Sequence, residues 1–266
     1  MPLVESFFKG TNGLLFAYGI TNAGKTYTIS GTKTDGGILP RIFNTLFQNI
    51  NNANNKNATN KSGKMMRESD FDYSSSEFDV SSISSISDIE EDNKNKTMLD
   101  SNYHYGVWIS YLEIYNERIF DLLEEQTTDN GKREMLKLNE DKAGHVFVKG
   151  LKEVNITSAQ EGQDLITKCS KNRQVANTML NQDSSRSHSV IVFKLVTYLK
   201  DEKSNRKELI KYNKLSIIDL AGSERNNRTK TTGTRLKEAS NINTSLMTFG
   251  RCLQALRWNQ QHPNNP

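Results

Sequence analysis

The stretch that most restricts the fold is Gly19-Ile20-Thr21-Asn22-Ala23-Gly24-Lys25-Thr26, which fits the phosphate-binding pattern G-x-x-x-x-G-K-[ST]. Before it runs Gly13-Leu14-Leu15-Phe16-Ala17-Tyr18, a short apolar segment that reads as a buried strand. After it, Tyr27-Thr28-Ile29 holds no proline and no turn cluster, so a helix can start where the loop ends. Strand, glycine loop and helix in that order call for an α/β fold with a central sheet. The chemistry follows from the geometry. Gly19 and Gly24 let the backbone curl so that successive N–H groups point inward at phosphate oxygens, and the helix start adds partial positive charge there. Lys25 supplies a full charge for the β- and γ-phosphates, and the Thr26 hydroxyl is a ligand for Mg²⁺.

A chain of 266 residues accommodates one large α/β domain or two small ones. Only 35% of the residues are hydrophobic, so part of the chain is expected to sit outside the core. The net charge of +4 suits an acidic partner surface without demanding one. Cys169 and Cys252 fall in helix-like segments and in no metal-ligand spacing, which points to a reducing compartment. No apolar run approaches a membrane span, and the first residues do not read as a secretion signal.

Taken in order, residues 3–9 read as the end of a helix stopped by Gly10. Ile42, Phe43, Leu46, Phe47 and Ile50 recur at helical spacing, predicting an amphipathic helix over 40–50 with Pro40 at its first position. Residues 51–102 change character. Six of the ten residues from Asn51 to Asn60 are Asn, and a Ser-rich acidic run follows, so this segment is expected to be a disordered surface insertion. Its Ile83, Ile86 and Ile89 leave a phosphorylated docking segment as the functional alternative. Structure resumes in the β-prone run 107–115, then a short helical turn through 116–123, then short strands at 136–138, 146–148 and 154–156 around a turn at Lys142-Ala143-Gly144. Ser158-Ala159-Gln160-Glu161 is a capping box opening a helix. A long strand spans about 189–199, with the charged stretch 200–207 as a solvated hairpin end; 215–218 is a buried strand. Ala239, Ile242, Leu246, Phe249, Leu253 and Leu256 mark a last helix, and 263–266 reads as a loop.

Two further motifs bear on the site. Asp219-Leu220-Ala221-Gly222-Ser223-Glu224 follows the buried strand 215–218. In a phosphate-loop enzyme an aspartate at that strand end holds Mg²⁺, usually through water, and a nearby glycine N–H reaches the γ-phosphate. Asn181-Gln182-Asp183-Ser184-Ser185-Arg186-Ser187-His188 gathers hydroxyls and a guanidinium in a loop that could approach a phosphate.

Together these residues resemble the kinesin motor domain, because the phosphate loop, Asn-x-x-Ser-Ser-Arg-Ser-His and Asp-Leu-Ala-Gly-Ser-Glu stand here in that order and spacing. Tyr111 through Glu117 and Asn241 through Leu246 are similar to kinesin sequence as well. Asn12 through Phe16, Phe147 through Gly150, Asn226 through Thr229 and Ser245 through Thr248 resemble the mitotic kinesin-like subfamily of the central spindle, as does the long insertion after the helix at 40–50. The resemblance implies a phosphate-loop fold with a central, mostly parallel mixed sheet flanked by helices, over 1–266 with 51–102 inserted. It implies an ATPase motor using ATP and Mg²⁺ on microtubules, in the cytoplasm and on the spindle, with no nucleic acid or membrane partner and with homodimerisation through a coiled coil outside this sequence. Gly19 to Thr26 would be the phosphate loop, and Tyr27 would stand near the adenine. Ser184 and Ser185 of switch I would meet the γ-phosphate and the metal's water shell. Gly222 of switch II would sense the γ-phosphate, Asp219 would hold the metal, and Arg186 and Glu224 would pair to close the two switches. The helix at about 239–257 would face the microtubule, with Arg225, Arg228, Lys230, Arg235, Lys237, Asn241 and Asn243 as contacts; Lys149 and Lys152 are weaker candidates.

The family's Arg-x-Arg-Pro-like first strand, its Tyr-Arg-Asp-Ser-Lys-Leu-Thr segment, last strand and helix, and neck linker are not found in 1–266. The expectation is therefore a partial domain, with strand 13–18 lacking one neighbour and without directed motion of its own. The alternative is a non-motor, kinesin-derived microtubule-binding protein without turnover; a different phosphate-loop enzyme would need a base-recognition segment that the sequence does not offer.

Overall fold

The computed structural model describes residues 2–32, 34–55, 98–100, 102–124, 134–179, 184–199, 209–224 and 234–262. Its centre is a sheet built on three long strands, β2 (Tyr103–Tyr115), β7 (His188–Leu199) and β8 (Leu209–Asp219). These strands are long because β-branched and aromatic residues alternate without interruption, as in Val190-Ile191-Val192-Phe193. The order is β1-β8-β7-β2-β3, where β1 is Gly13–Ala17 and β3 is Arg118–Asp121; β6 (Val154–Ile156) also pairs with β2. The sheet is mixed, as expected, but not mostly parallel. Among the described residues only β1 and β8 run parallel, while β7–β8, β2–β7, β2–β3 and β2–β6 are antiparallel. A parallel pair needs a crossover between its strands, and β7 and β8 are consecutive, so they return on each other. β4 (Lys137–Glu140) and β5 (Val146–Lys149) form a separate exposed hairpin.

Side-chain alternation sorts the sheet into two faces. Val107, Ile109, Ile191, Phe193, Leu195, Leu215 and Ile217 point to one face and meet α1 (Pro2–Phe8), α3 (Ile38–Asn55) and α4 (Ala159–Met179). There Phe43 and Phe193 pack edge to face at 5.2 Å; burying a ring of this size contributes about 2–3 kcal/mol. Gly162 lets α4 come close, since a Cβ at that position would run into the Phe43 ring. The opposite face carries Trp108, Val196 and Tyr198, and beyond them α5 (Thr234–Gln261), whose Phe249 meets Phe16 of β1 at 5.1 Å.

Several expectations are corrected. The helix predicted for 40–50 runs from Ile38 to Asn55, so Pro40 lies within the first turn, where its missing N–H has no partner to lose. The insertion expected from 51 begins later, for Ala53 and Leu99 are both in the core; 56–97, with Ile83, Ile86 and Ile89, lie outside the described residues, as do 200–208 and 263–266. The helical turn expected at 116–123 is strand β3, because Asn116 (φ 49) and Glu117 (φ 64) both adopt the left-handed conformation that closes a tight hairpin. The Ser158 hydroxyl caps α4 by accepting from the Glu161 N–H at 3.1 Å, while the Glu161 carboxylate reaches one residue further back, to Thr157.

Glu117 is exposed at a backbone position that favours glycine. Glu117→Gly is expected to stabilise the chain by about 0.5–1 kcal/mol in urea unfolding; a loss of stability instead would show that the Glu117 side chain holds the hairpin.

Candidate nucleotide site

The strand registers explain why the motifs meet. β1 and β8 end together, with Ala17 opposite Asp219, so the phosphate loop and the 219–224 segment leave the sheet at the same edge. β7 runs the other way and starts there, with Ser189 opposite Asp219, which brings the Ser184–Arg186 turn to the same place.

The loop is curled by Asn22 (φ 64) and Gly24 (φ 84), both left-handed, and Lys25 opens helix α2 (Lys25–Ser30). The Lys25 ammonium donates to the carbonyls of Gly19 at 2.9 Å and Ile20 at 2.8 Å. The second segment is laced to the loop. The Ser223 N–H donates to the Gly19 carbonyl at 3.1 Å, and Glu224 accepts from the Thr21 N–H at 3.0 Å and the Thr21 hydroxyl at 2.7 Å. Burial works against the charged form of Glu224, but the bonds from Thr21 and the nearby Lys25 outweigh it and hold the carboxyl below its ordinary range. Both Glu224 oxygens are thus engaged by Thr21. Gly222 is confined between the two segments. Its N–H donates to the Ser185 carbonyl at 2.7 Å, and a Cβ there would collide with the Thr21 hydroxyl.

Thr26 and Asp219 form the second half of the site. The Thr26 hydroxyl donates to Asp219 Oδ2 at 2.6 Å, while Asp219 Oδ1 is buried without a hydrogen-bond partner. A cavity of about 120 Å³ lies alongside, lined by Thr26, Ser30, Tyr111, Ser170, Arg173 and Asp219. A hydroxyl, a carboxylate with an unused oxygen, and room for water make a hard oxygen donor set that fits Mg²⁺ held partly through its waters.

The sequence reading gave no role to the group that underlies this corner. Glu113 is fully buried (0% exposed) on the α4 face of β2, and Arg173 of α4 meets it at 3.2 Å. The same guanidinium donates to the Ser187 carbonyl at 3.0 Å and hydroxyl at 2.9 Å and stands 3.8 Å from Asp219. A signal was available, since Glu113 is the one charge within the apolar run 107–115, and a carboxylate in a buried strand requires a partner.

His188, on the opposite face of β7, is buried; its ring accepts from the Ala221 N–H at 3.0 Å and lies 3.2 Å from the Ser245 hydroxyl. Burial, then the Arg173 charge, hold it below the ordinary imidazole range against the opposing pull of Asp219.

The remaining predicted residues divide. Ala23 sits in the loop and donates to Ile20. Tyr27 is exposed at the loop's flank, its hydroxyl donating to Asp35 at 2.7 Å, and this bond raises its pKa. Ser184, Arg235 and Lys237 have described backbones only; Asn181, Arg225, Arg228 and Lys230 lie outside the described residues. Asn241 donates to Asn116 at 2.7 Å, and Asn243 is half-buried. Lys149 is exposed on the β4–β5 hairpin, and Lys152 pairs with Glu124 at 2.7 Å.

A phosphate loop facing an aspartate at the end of a neighbouring strand, with a glycine segment between them, defines a phosphate-loop nucleotide site in an α/β fold. Within that class, the family model for the kinesin motor domain matches residues 1–264, and the chain belongs to the kinesin motor domain family. It is 38% identical over 300 residues to mouse "Kinesin-like protein KIF23", covering 99% of this chain and 30% of the relative. It is 36% identical over 313 residues to human "Kinesin-like protein KIF20A", covering 98% of this chain and 34% of the relative. The chain therefore spans about a third of the length of these two relatives. Among solved structures, one described as "kinesin 6" superposes with a TM-score of 0.71 at 29% identity, covering 98% of this chain and 69% of the other. A KIF14 segment with ADP in complex with a microtubule superposes with a TM-score of 0.69 at 29% identity, covering 100% of this chain and 61% of the other.

Arg173→Met removes the guanidinium that meets Glu113 in the core and is expected to destabilise the chain by about 3–5 kcal/mol. Adding Glu113→Gln should recover part of that loss in urea unfolding; simple additivity would show that the two side chains act separately. His188 predicts a pH effect. Its folded pKa lies below the ordinary 6.5, so the unfolded chain binds the extra proton first. This contribution to stability is complete above pH 6.5 and is lost as the pH falls towards the lowered folded value. Between pH 7.5 and 5.5 the melting temperature should fall less in His188→Asn than in the unmodified chain (about one proton's linkage); equal falls would remove His188 as a cause.

Proposed function

We propose that this chain is the nucleotide-hydrolysing part of a microtubule motor, using ATP and Mg²⁺ on spindle microtubules in the cytoplasm. The observation that carries the reading is the convergence of three segments at one sheet edge: Thr26 on Asp219 at 2.6 Å, Gly222 on Ser185 at 2.7 Å and Ser223 on Gly19 at 3.1 Å. Membership of the kinesin motor domain family supports it, as does the likeness to a KIF14 segment in complex with a microtubule. The resemblance of Asn226 through Thr229 and Ser245 through Thr248 to spindle kinesins supports the cellular setting. The motor itself is proposed to act as a homodimer.

In this mechanism the loop's own acceptors give way to the nucleotide. Lys25 releases the Gly19 and Ile20 carbonyls and turns to the β- and γ-phosphates, with Ile20 through Ala23 supplying backbone N–H groups and Tyr27 flanking the base. Glu224 and a phosphate compete for the Thr21 N–H, so phosphate binding frees the carboxylate, and Arg186 is its proposed next partner. Thr26, Ser185 and Asp219 would hold Mg²⁺, which when bound offsets charge on the phosphate oxygens. Ser184 and Ser185 position the attacking water, and the Gly222 N–H leaves the Ser185 carbonyl for the γ-phosphate. Catalysis rests on positioning and charge rather than on a strong base. Arg225, Arg228, Lys230, Arg235, Lys237, Asn241 and Asn243 are the proposed microtubule contacts, a mostly basic group suited to an acidic surface.

Lys25→Ala should lower ATP turnover by about 10²–10³-fold, measured as phosphate release with and without microtubules. Turnover equal to that of the unmodified chain would overturn the reading.

A further inference from the structure

The ring of His188 joins two parts of the molecule that have no other hydrogen bond between them among the described residues. On one side is the 219–224 segment beside the nucleotide loop, on the other helix α5. β7 alternation produces this: Ser187 and Ser189 face Arg173 and the cavity, so His188 between them faces α5.

The protons in this chain can be assigned. The Ala221 N–H donates to Nδ1, so that nitrogen carries no proton and Nε2 does. The Ser245 hydroxyl spends its proton on the Ile242 carbonyl at 2.8 Å, so its oxygen accepts from Nε2–H at 3.2 Å. One neutral tautomer satisfies every group from Ala221 to Ile242.

The rest of α5 is loosely held. Leu246 is its one buried side chain among the described residues, and Met247, Leu256 and Trp258 are exposed. Its other anchors lead elsewhere: Phe249 to Phe16 on β1, and Asn241 to Asn116 in the β2–β3 turn. Meanwhile Ala221 and Gly222 are consecutive, and their N–H groups are held by His188 and by the Ser185 carbonyl respectively. The two N–H groups belong to successive peptide units that share the Ala221 Cα, so a shift of Ala221 that accompanies the turn of Gly222 from Ser185 towards a phosphate moves the donor that His188 holds.

We propose that His188 is a positioning residue that sets α5 against the 219–224 segment and passes a change at Gly222 to the helix through one imidazole. The inference deepens the proposed function, since it names how the nucleotide site regulates the helix proposed to meet the microtubule.

The test is a double-variant cycle on the full chain, read by amide hydrogen exchange over residues 241–250. Ser245→Ala is a mild change at an exposed position that removes the acceptor for Nε2–H. His188→Asn keeps an acceptor for the Ala221 N–H but is too short to reach Ser245. Without ligand, each single variant should speed exchange about fivefold, the factor for one ordinary hydrogen bond. The double variant should go no further, whereas independent effects would multiply to about 25-fold. In a second arm, a non-hydrolysable ATP analogue and ADP are compared. The unmodified chain should show nucleotide-dependent exchange in 241–250, and Ser245→Ala should bind both nucleotides with that dependence lost. Unchanged exchange in Ser245→Ala, multiplying effects, or an intact nucleotide response would each overturn the proposal. Should His188→Asn fail to fold, Ser245→Ala alone decides. If the unmodified chain binds no nucleotide, the proposed function fails, and the ligand-free cycle still decides the role of His188.

Discussion

Glu113 is a carboxylate with no exposure on the central strand of the sheet. A charge in that position is tolerated only if another charge and good hydrogen bonds surround it. Arg173 provides both, and in doing so it joins elements that the chain order keeps apart. It reaches from α4 to β2 through Glu113, to the start of β7 through both oxygens of Ser187, and to the end of β8 through Asp219. The strand ends that carry the nucleotide motifs are therefore fixed from beneath by one guanidinium. The Thr26–Asp219 bond then ties the phosphate loop to that base. A carboxylate oriented by a buried arginine, with one oxygen engaged and one unused, is prepared to bind without being rebuilt.

Above this rigid floor the loop satisfies its own polar groups. Lys25 rests on loop carbonyls, Thr21 rests on Glu224, and Gly222 rests on Ser185. Binding an anion here is therefore an exchange of partners, and the exchanges at Thr21 and Gly222 displace Glu224 and the Ser185 carbonyl. Because the Thr21 donors and the Gly222 N–H are already engaged across segments, the neighbouring segments respond to what occupies the loop. α5 lies on the other side of the sheet, with a single buried side chain among the described residues, so its position depends on a few directed contacts more than on apolar area.

Much of this was legible in the residues. The phosphate loop, the capping box at Ser158 and the spacing of Ile42, Phe43, Leu46 and Phe47 are local patterns, and the elements they predict are present. Asp219 and Gly222 were recognisable because they follow a buried strand at a fixed distance. The β3 strand was not, because Asn116-Glu117 closes a hairpin with a non-glycine residue in the left-handed region, which departs from the usual turn chemistry. Nor was the balance of strand directions in the sheet, because pairing partners are chosen across distances that no local pattern spans.

By itself, then, the sequence determined where the phosphate-loop motif lies, where most elements begin and end, and which family the chain resembles. These depend on spacing along the backbone, on side-chain periodicity and on the intrinsic reach of each residue type. The tertiary structure alone decided that Arg173 serves Glu113, Ser187 and Asp219 together, that Glu224 lies on Thr21, and that His188 faces α5. The reason is physical. A buried charge or imidazole takes its partner from whichever element the packing brings within about 3 Å, and sequence separation places no limit on which element that is.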